Sequence, residues 1–432
     1  MTTATLPRVE RLLHSGPGGP TDPGLSSHLA LHGPVAVPPR PAPAWAEAFL
    51  AEVAAAGLTG RGGGGFPAAA KWEALRRAGR RPVVVVNAME GEPASAKDRA
   101  LLAWSPHLVL DGAEVVAALS GARSVVVCVA DDRDASARAV RMAAAERSAT
   151  GAVREVMVRR PPARYVTGEE SALIHWLAAG DARPVLRVDK SAPLRLGRRP
   201  VLIHNAETLA QVALIARHGA AWFRSAGVVD APGSTLVTVS GAVRTPGVVE
   251  VGLGTPVDEV VGLCGPTGPM AGYLVGGYGG AWLAPDLAST PLAPASLARV
   301  GATLGVGIVV ALPTDSCGIA ETARITRWMA GESAGQCGPC VYGLPAIAED
   351  LELLAGGRAD PGTIGRIDER ARSVAGRGAC RHPDGVARMV RSALDVFAAD
   401  AAAHAAGRPC AGRHAPSVLP FPTPPVLVGE AS

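Results

Sequence analysis

The chain has 432 residues, of which 48% are hydrophobic and 19% are charged, and its formal net charge at pH 7 is +4. This length predicts two or three domains, each large enough for its own core. So small a net charge excludes a nucleic-acid-binding surface, and the composition is that of an ordinary soluble globular protein.

Membrane and export signals are not visible in the sequence. No apolar run reaches the length of a membrane span, and the best one, at residues 305–312, predicts a buried strand. The first residues lack the basic and then apolar pattern of a signal peptide. Seven cysteines, an odd number without paired spacing, indicate a reducing cytoplasm rather than a disulfide framework. In that compartment the cysteines are available to bind metal.

The N-terminal half alternates helices with apolar strands. Residues 1–43 are predicted as an extended segment, and residues 44–230 as an α/β domain with a parallel sheet covered by helices. The predicted elements of that domain are a helix over 44–57, a glycine loop, a helix over 68–78, a strand and acidic loop over 82–93, a helix over 107–120, a strand over 124–131, another helix, and a strand around Val156.

Two further domains follow. From Ser234 the pattern changes to short strands broken by glycine, which predicts a small β-rich domain over 231–317. Residues 318–400 have helical periodicity throughout, and we expect a compact helical domain that contains the later cysteines. Residues 401–432, first Ala-rich and then Pro-rich, are predicted as a tail.

The loop GRGGGG, from Gly60 to Gly65, satisfies G-x-G-x-x-G literally. A helix precedes it, however, where a dinucleotide-binding fingerprint requires a strand. Its backbone N–H groups beside a helix start, with Lys71 about one turn or so farther on, suit a bound phosphate. Phe66 could stack on a flat ring. A plain flexible turn is the alternative interpretation.

Three more loops carry polar residues at the starts of helices or the ends of strands. Asn87 and Glu90 lie at the carboxyl end of a predicted strand, where α/β sheets hold their ligands. Glu90 and Glu92 suit hydrogen-bond donors of a ribose or a ring rather than a phosphate, and a solvated loop is the alternative. The stretches YVTGEESAL (165–173) and IHNAETLAQV (203–212) each open a helix, and each alone is a helix cap.

A pair of cysteines lies in the stretch ESAGQCGPC, residues 332–340. Cys337 and Cys340 are three residues apart among Gly and Pro, as in a metal or cluster loop. Ala334 stands where a third cysteine would complete C-x-x-C-x-x-C. Buried structural cysteines or a zinc-binding pair are the alternatives.

Together, in this order and spacing, these segments resemble the flavin subunit of respiratory complex I and the related diaphorase subunits of NAD-linked hydrogenases and formate dehydrogenases. GRGGGGFPAAAKW is similar to the family's G-R-G-G-A-G-F-P-x-x-x-K-W, and NAMEGEPASAKDR to N-A-D-E-x-E-P-x-x-x-K-D-R. YVTGEESAL is similar to Y-x-x-G-E-E-T-A-L, and IHNAETLA to x-N-N-V-E-T. ESAGQCGPC with the later Cys380 is similar to E-S-C-G-x-C-x-P-C with its distant fourth cysteine. The β-rich stretch resembles the family's ubiquitin-like soluble-ligand-binding (SLBB) domain.

The resemblance implies a Rossmann-like FMN domain, a small β-grasp SLBB domain and a C-terminal helical bundle with an iron–sulfur cluster. It implies an NAD(P)H dehydrogenase of the diaphorase type, in which electrons pass from a nicotinamide nucleotide through FMN to the cluster. The expected partner is a ferredoxin-like or thioredoxin-like [2Fe–2S] protein or a larger redox complex, with no nucleic acid and no direct membrane insertion. The implied cofactor-binding positions are Gly60, Gly62, Phe66, Lys71, Asn87, Glu90, Tyr165, Gly168, Glu169, Glu170, Asn205 and Thr208, the implied catalytic position is Glu92, and the implied cluster ligands are Cys337, Cys340 and Cys380.

Ala334 leaves this implied cluster one thiolate short, because an alanine cannot bind iron. Either a [4Fe–4S] cluster takes a substitute ligand, or one iron is bound by solvent or absent, which gives a [3Fe–4S] cluster. Cys317 at the domain junction, and Cys410 and His414 in the predicted tail, are the candidate substitutes.

Three departures from the family's pattern concern the nucleotide. Met89 replaces the usual Asp of the acidic loop, Arg187 and Lys190 stand where a Lys and a Phe are expected, and an aromatic is missing near Ala74. FMN binding is therefore better supported than NADH as the donor, and NADPH is an alternative donor. One further alternative is an enzyme that keeps the flavin but exchanges electrons with a protein or another reductant instead of NADH. Another is a non-catalytic electron-relay subunit that kept the cluster but lost nucleotide binding.

Overall fold

Three regions follow one another along the chain: an α/β domain, a β-grasp domain and a helical domain. This architecture confirms the predicted fold class. The computed structural model describes residues 9–13, 22–38, 41–77, 81–150, 154–187 and 192–421.

The α/β domain is built on a five-stranded sheet. Its strands are Val83–Ala88 (β1), Ser124–Val129 (β2), Glu155–Arg159 (β3), Arg195–Leu196 (β4) and Arg199–Asn205 (β5). They lie in the order β3-β2-β1-β5-β4, and every pair is parallel except β4 with β5. Parallel pairing brings the carboxyl ends of β1 and β5 to one edge, with Asn87 opposite Asn205. That edge carries the acidic loop and the start of the helix after β5.

Both faces of this sheet are covered. Alternate residues of β1 enter separate cores, with Val84 and Val86 in one, and Val83 and Val85 in the other. This follows from the two-residue period of a strand, and explains why β1 is a continuous apolar run. The helices of the region are Leu25–His32 (α1), Pro43–Ala56 (α2), Ala68–Arg77 (α3), Lys97–Trp104 (α4), Pro106–Ser120 (α5), Asp134–Ala149 (α6), Glu170–Ala179 (α7) and Ala206–Arg224 (α8).

The close crossing of α5 and α8 fixes the position of the α8 N-terminus. Gly112 in α5 lies so near the backbone of α8 that a methyl group there would collide with the carbonyl oxygen of Leu209. Only a glycine permits this approach. The start of α8, with Asn205 as its N-cap and Thr208 in its first turn, is therefore positioned by this crossing.

The β-grasp domain contains a second five-stranded sheet. After a short hairpin of Gly227–Val228 (β6) and Ala231–Pro232 (β7), its strands are Ser234–Gly241 (β8), Gly247–Gly252 (β9), Met270–Val275 (β10), Ala281–Leu283 (β11) and Ile308–Pro313 (β12). The order is β11-β10-β12-β8-β9, and β12 with β8 is the parallel pair. Two short helices, Val257–Gly262 (α9) and Pro294–Arg299 (α10), accompany the sheet.

The helical domain follows β12 directly. Its helices are Gly318–Gly331 (α11), Leu344–Ala355 (α12), Thr363–Val374 (α13), His382–Val396 (α14) and Ala398–Ala405 (α15). They share one apolar core with side chains of the β-grasp sheet, among them Leu274 and Trp282. A π-helical turn over Pro339–Gly343 precedes α12 and carries Cys340.

The predictions for the two ends of the chain need correction. Within the predicted extended segment 1–43, α1 is a helix, held by His28, whose buried imidazole lies 2.7 Å from the Asp111 carboxylate. The pattern was missed because a polar contact, and not an apolar face, secures this helix. Residues 1–8, 14–21 and 39–40 lie outside the described residues.

The predicted tail, 401–432, is packed against the helical domain as far as residue 421. Leu419 is buried in the core of that domain, and Ser417 donates to the Glu321 carboxylate at 2.7 Å. Its proline content indicated a tail, but a chain without regular structure can still pack through a few apolar side chains. Residues 422–432 lie outside the described residues. In the described part of the chain, no helix is long and apolar enough to cross a membrane.

Candidate functional site

The glycine loop is an open turn at the carboxyl edge of the first sheet. Its two ends are tied by the Gly60 amide, which donates to the Phe66 carbonyl at 2.9 Å. A Cβ atom at Gly62 would lie 3.2 Å from the Cβ of Asn205, so the loop approaches α8 closely there. Phe66 is 58% exposed. The loop leaves open space above it, which suits a group that approaches the bare backbone.

The buried Arg61 anchors this loop to the sheet edge and to the β-grasp domain. Its backbone amide donates to the Thr208 hydroxyl at 2.9 Å, and its guanidinium donates to the Ser234 carbonyl at 3.1 Å. The Thr208 oxygen predicted to bind the cofactor thus holds the loop in this structure.

Lys71 projects from α3 toward the same edge. Its ammonium donates to Glu170 at 2.6 Å and to the Ile203 carbonyl at 2.7 Å. Beneath it, the Trp72 indole N–H donates to His204 Nε2 at 2.6 Å. Burial, with Lys71 nearby, lowers the pKa of His204 well below its ordinary value, so this imidazole is a neutral acceptor. The cation beside this neutral imidazole is Lys71, which is paired with Glu170.

Two asparagines connect the ends of β1 and β5. Asn87 donates to the Gly168 carbonyl at 2.8 Å, and Asn205 donates to the Asn87 carbonyl at 3.2 Å and to Asp98 at 2.7 Å. Asn205 is also the N-cap of α8, since its side-chain oxygen accepts from the Glu207 amide. The cap predicted from sequence is present, and it lies at the centre of the site.

A buried ion network, not singled out from the sequence, lies under these asparagines. The Lys97 ammonium is 2.7 Å from Asp98, 3.1 Å from Glu207 and 3.0 Å from the Asn205 side-chain oxygen. Burial alone would lower the pKa of Lys97, but the two carboxylates outweigh it and raise that pKa above its ordinary value. All three charged residues fall inside the quoted motifs, yet sequence spacing gave no sign that they meet.

Glu90 faces the protein rather than the open loop. Its carboxylate accepts from the backbone amides of Asp98 at 2.8 Å and Arg99 at 3.2 Å, and from the Ser95 hydroxyl at 2.9 Å. It thus satisfies N–H groups in the first turn of α4, where a negative charge is favoured. Its backbone is left-handed, with φ of 42°. Glu90 shapes the acidic loop.

Glu92 joins the acidic loop to the β-grasp domain. Its Oε1 accepts from the backbone amide of Tyr278 at 2.6 Å, and the adjoining Gly277 leaves no room for a side chain beside the carboxyl group. Burial raises the pKa of Glu92 to about 8. Because Oε1 accepts from an N–H donor, a proton on this carboxyl group would be carried by Oε2.

A single 3₁₀ turn, Tyr165–Gly168, borders both the polar edge of the first sheet and the cysteine pocket. The carbonyl of Gly168, its last residue, accepts from Asn87 at the sheet edge. Val166, in the same turn, lines the cysteine pocket. Glu169 follows as the N-cap of α7 and accepts from the Ala172 amide at 2.9 Å. The Tyr165 ring packs edge-on against Trp328. The turn therefore connects the α/β domain with the helical domain.

The three predicted cluster ligands line one pocket. Burial, with the other two thiols nearby, raises the pKa of Cys340 to about 12, so a metal would have to displace its proton. Three sulfur atoms around one cavity fit an iron–sulfur cluster, which thiolates hold. The lining residues are Val166, Pro184, Ala334, Gln336, Cys337, Cys340, Gly378, Ala379, Cys380 and His382.

None of the substitute ligands considered from the sequence lines this pocket. Cys317 is the N-cap of α11, whereas the cysteine loop follows the other end of that helix. Cys410 lies beside Cys317 and His404, and His414 closes the turn Ala411–His414 that comes after it. These residues therefore do not complete the cluster site in this structure.

His382 lines the pocket and was missed. Its Nε2 lies 2.8 Å from the Met329 carbonyl, and its buried Nδ1 has no hydrogen-bond partner in the described part of the chain. A neutral imidazole that donates through Nε2 has a lone pair on Nδ1, and an unprotonated ring nitrogen can bind a metal. The only sequence signal was its position two residues after Cys380.

The residues that depart from the family's pattern are separated from one another. Met89 is buried in the core that contains Leu173. Ala74 is half-buried on α3, and Arg187 donates to the Ala192 carbonyl. Lys190 lies outside the described residues.

Comparison with known families gives three matches along the chain. The Nuo51 FMN-binding domain matches residues 53–214, the SLBB domain 236–271, and the iron–sulfur binding region of NADH-ubiquinone oxidoreductase-F 320–404. These matches follow the order of the three regions of the fold. They define a redox protein with a flavin-binding domain and an iron–sulfur region.

Individual relatives span most of the chain. An NADH-quinone oxidoreductase subunit of Rhizobium meliloti (strain 1021) is 32% identical over 374 residues, which cover 82% of this chain and 87% of the relative. The mitochondrial NADH dehydrogenase [ubiquinone] flavoprotein 1 of Dictyostelium discoideum is 29% identical over 368 residues, covering 81% and 77%. The chain belongs to this family of NADH-quinone oxidoreductase flavoproteins, which confirms the resemblance read from the motifs.

A solved structure shows the same arrangement. The crystal structure of an NAD⁺-reducing [NiFe]-hydrogenase in the H₂-reduced state superposes with a TM-score of 0.76 at 31% identity, over 85% of this chain. The present chain spans 64% of that hydrogenase chain.

Proposed function

We propose that this chain is an FMN- and iron–sulfur-dependent oxidoreductase subunit. It takes electrons from a nicotinamide nucleotide and passes them through FMN to a cluster held by Cys337, Cys340 and Cys380. The observation that carries the proposal is the Tyr165–Gly168 turn, which borders the polar sheet edge with one residue and the cysteine pocket with another. Two cofactors bound on its two sides would be close neighbours.

On the flavin side, the glycine loop and Lys71 hold a phosphate. Most residues of the loop are glycines, so no side chains cover its backbone amides. Lys71 supplies a positive charge at the same edge. When bound, FMN supplies the conversion between a two-electron hydride donor and a one-electron acceptor. One phosphate site, with no second fingerprint for an adenylate half, favours FMN over FAD.

Glu92 has the catalytic role in this proposal. A buried carboxyl group whose pKa is near 8 is half-ionised close to working pH, where general acids and bases are most effective. Its Oε2 can hold or release a proton beside the flavin, while Oε1 is fixed by Tyr278. Orientation by a backbone donor keeps that proton in one place.

The electron acceptor docks beside the cysteine pocket. Tyr342 is 77% exposed and Val341 37% exposed, directly after Cys340 on the same turn. Exposed aromatics are over-represented among residues that anchor interfaces. We assign this surface to a ferredoxin-like or thioredoxin-like [2Fe–2S] partner within a larger redox complex, as suggested by relatives that are named as subunits of quinone oxidoreductases.

The alternative is a relay subunit that does not react with a nucleotide. Only the substitutions at the family's nucleotide-binding positions favour it. Met89 is buried and Arg187 bonds to its own loop, so neither replaces the lost contacts directly. The intact polar edge, with Asn87, Asn205 and Lys71 in place, favours a flavin-binding enzyme.

The test is anaerobic purification of the full chain, followed by spectroscopy and identification of the released flavin. We expect flavin absorption bands above a broad cluster absorbance, and FMN in the denatured supernatant. Lys71→Ala should lose flavin and keep iron, whereas Arg372→Ala, on an exposed ion pair of α13, should keep both. Cluster absorbance without flavin would support the relay alternative, and recovery of FAD would contradict the single phosphate site.

A further inference from the structure

A second group of metal-binding side chains lies at the end of α11 farthest from the cysteine pocket. Cys317 precedes the helix, Cys337 follows it, and the 14 residues between its ends span about 21 Å at 1.5 Å per residue. Around Cys317 are His404 from α15 and Cys410 from the segment after it. The group is therefore distinct from the cluster site.

The three donor atoms have the separations of ligands around one ion. His404 Nε2 is 3.8 Å from Cys317 Sγ and 3.3 Å from Cys410 Sγ, and all three donors lie within 4.8 Å of one another. Ligands at Zn–S and Zn–N distances of about 2.3 and 2.1 Å in a tetrahedron are roughly 3.6 Å apart. The observed distances bracket that value.

The imidazole presents the correct nitrogen. His404 Nδ1 lies 3.2 Å from the Leu354 carbonyl, so it carries the proton and donates it there. Nε2 accepts from the Cys410 amide at 3.0 Å, which identifies it as the unprotonated nitrogen. A carbonyl behind the distal N–H is the arrangement that orients histidine ligands in metal sites. An ion bound at Nε2 would replace the hydrogen bond from the Cys410 amide.

We propose that Cys317, His404 and Cys410 bind a zinc ion. Two thiolates and one imidazole are soft and borderline ligands, which favour zinc over magnesium, calcium or manganese. Cys317 and His404 are buried and Cys410 is half-buried, so solvent reaches the fourth position from the Cys410 side. Binding displaces the two thiol protons to solvent.

The ion would fasten the C-terminal segment to the helical domain. Beyond Cys410 the chain covers Tyr278, which is fully buried and whose hydroxyl donates to the Pro420 carbonyl. Phe421 packs against the Tyr278 ring at 5.4 Å between centroids. Tyr278 also provides the amide that holds Glu92. The proposed zinc site therefore stabilises the cover over the β-grasp loop that contacts the catalytic carboxyl group.

Metal analysis of the full chain, purified with its cluster, tests the proposal. We expect one zinc per chain beside the cluster iron, and X-ray absorption at the zinc edge with two sulfur neighbours and one nitrogen. Cys410→Ser, the half-buried position, should lose zinc and keep iron. Cys340→Ser should lose iron and keep zinc. Cys128→Ala, a buried cysteine in β2, is the matched control that should keep both.

Limited proteolysis gives a second readout that does not depend on the cluster. Zinc removal by a chelator should increase cleavage between residues 405 and 421 by at least about tenfold, and added zinc should restore protection in the wild type but not in Cys410→Ser. A chain with iron but no zinc overturns the proposal. A disulfide between Cys317 and Cys410, detected by mass spectrometry after alkylation under native anaerobic conditions, overturns it as well.

Discussion

The flavin side and the cysteine pocket differ in what holds their polar groups. On the flavin side, Lys97, Asp98 and Glu207 bind one another beneath the asparagines, so the geometry exists before any cofactor arrives. In the cysteine pocket the thiols face a cavity, and the Nδ1 of His382 has no partner among the described residues. The flavin side is held by contacts within the protein, whereas the cysteine pocket presents three thiols and an imidazole nitrogen to a cavity.

That difference has an energetic meaning. A buried ion network that is intact contributes little net stability, but it strongly penalises the loss of any one member. A thiol pocket without metal carries no such penalty, because thiols are tolerated as small apolar groups. Substitutions on the two sides should therefore damage different properties of the molecule.

The largest expected effect is from Lys97→Met. It leaves the buried Asp98 carboxylate without its cation and Glu207 with Arg61 alone, 3.9 Å away, and should reduce the free energy of unfolding by about 3–5 kcal/mol. Urea denaturation of flavin-free protein measures this. Lys71→Met is the control, since its ion pair is half-exposed and worth about 1 kcal/mol or less. Equal losses in the two variants would show that the network is no more important than a surface pair.

A second experiment uses pH to examine Glu92, at the contact of the flavin side with the β-grasp domain. The folded-state pKa is raised to about 8, so the stabilisation is complete below the unfolded-state pKa and is lost as pH rises through 8. Between pH 5 and 8 the free energy of unfolding of the wild type should therefore fall, relative to that of Glu92→Gln, by about 1.4 kcal/mol per pH unit. Denaturation at pH 5, 6.5 and 8 measures the difference. A constant difference would mean that Glu92 is ionised in the folded state throughout.

The third prediction concerns the incomplete ligand set at Ala334. As isolated in air, the protein should show the electron paramagnetic resonance signal of an oxidised three-iron cluster, because no fourth thiolate retains the last iron. Ala334→Cys should give a four-iron cluster, measured as four irons per chain. A robust four-iron cluster in the wild type, reduced to three irons by His382→Gln, would instead assign the fourth position to the Nδ1 of His382.

The smallest effect is expected at the nucleotide. Loss of one aromatic near Ala74 should weaken NADH affinity by roughly threefold to tenfold, since an aromatic pair contributes about 0.5–1.5 kcal/mol. If Arg187 exchanges its contact with the Ala192 carbonyl for a 2′-phosphate, NADPH should be favoured, because arginine pairs bidentately with phosphate. Anaerobic stopped-flow bleaching of the flavin, in wild type and Arg187→Ala, measures both. Fast bleaching by NADH that is unchanged in the variant would exclude this role for Arg187.

Local motifs allowed much of the fold and many of the candidate residues to be predicted. The helix predicted over 44–57 is observed as Pro43–Ala56 and ends at Gly57, whose φ of 71° is the left-handed cap that glycine favours. Asn205 was recognised as a helix cap for the same reason, because a cap depends on a few neighbouring residues. Such features are encoded within one turn of chain.

Contacts between distant segments were not predicted. Lys97 and Glu207 are 110 residues apart, and they meet only because β1 and β5 are neighbours in the sheet. Cys317 and His404 are likewise brought together by the packing of α11, α12 and α15. Neither pair has a spacing that a local pattern could reveal, and α1, held by its contact with Asp111, was missed for the same reason.

The turn shared by the polar sheet edge and the cysteine pocket has a thermodynamic consequence. Gly168 and Val166 belong to one short turn, so a shift of that turn alters the Asn87 contact and the lining of the cysteine pocket together. Free-energy coupling between two binding sites is reciprocal. If cluster assembly changes the affinity for flavin by some factor through this turn, bound flavin must change the affinity for the cluster by the same factor. The coupling would then be the same for either order of maturation: the cofactor that binds first changes the affinity for the second by one common factor.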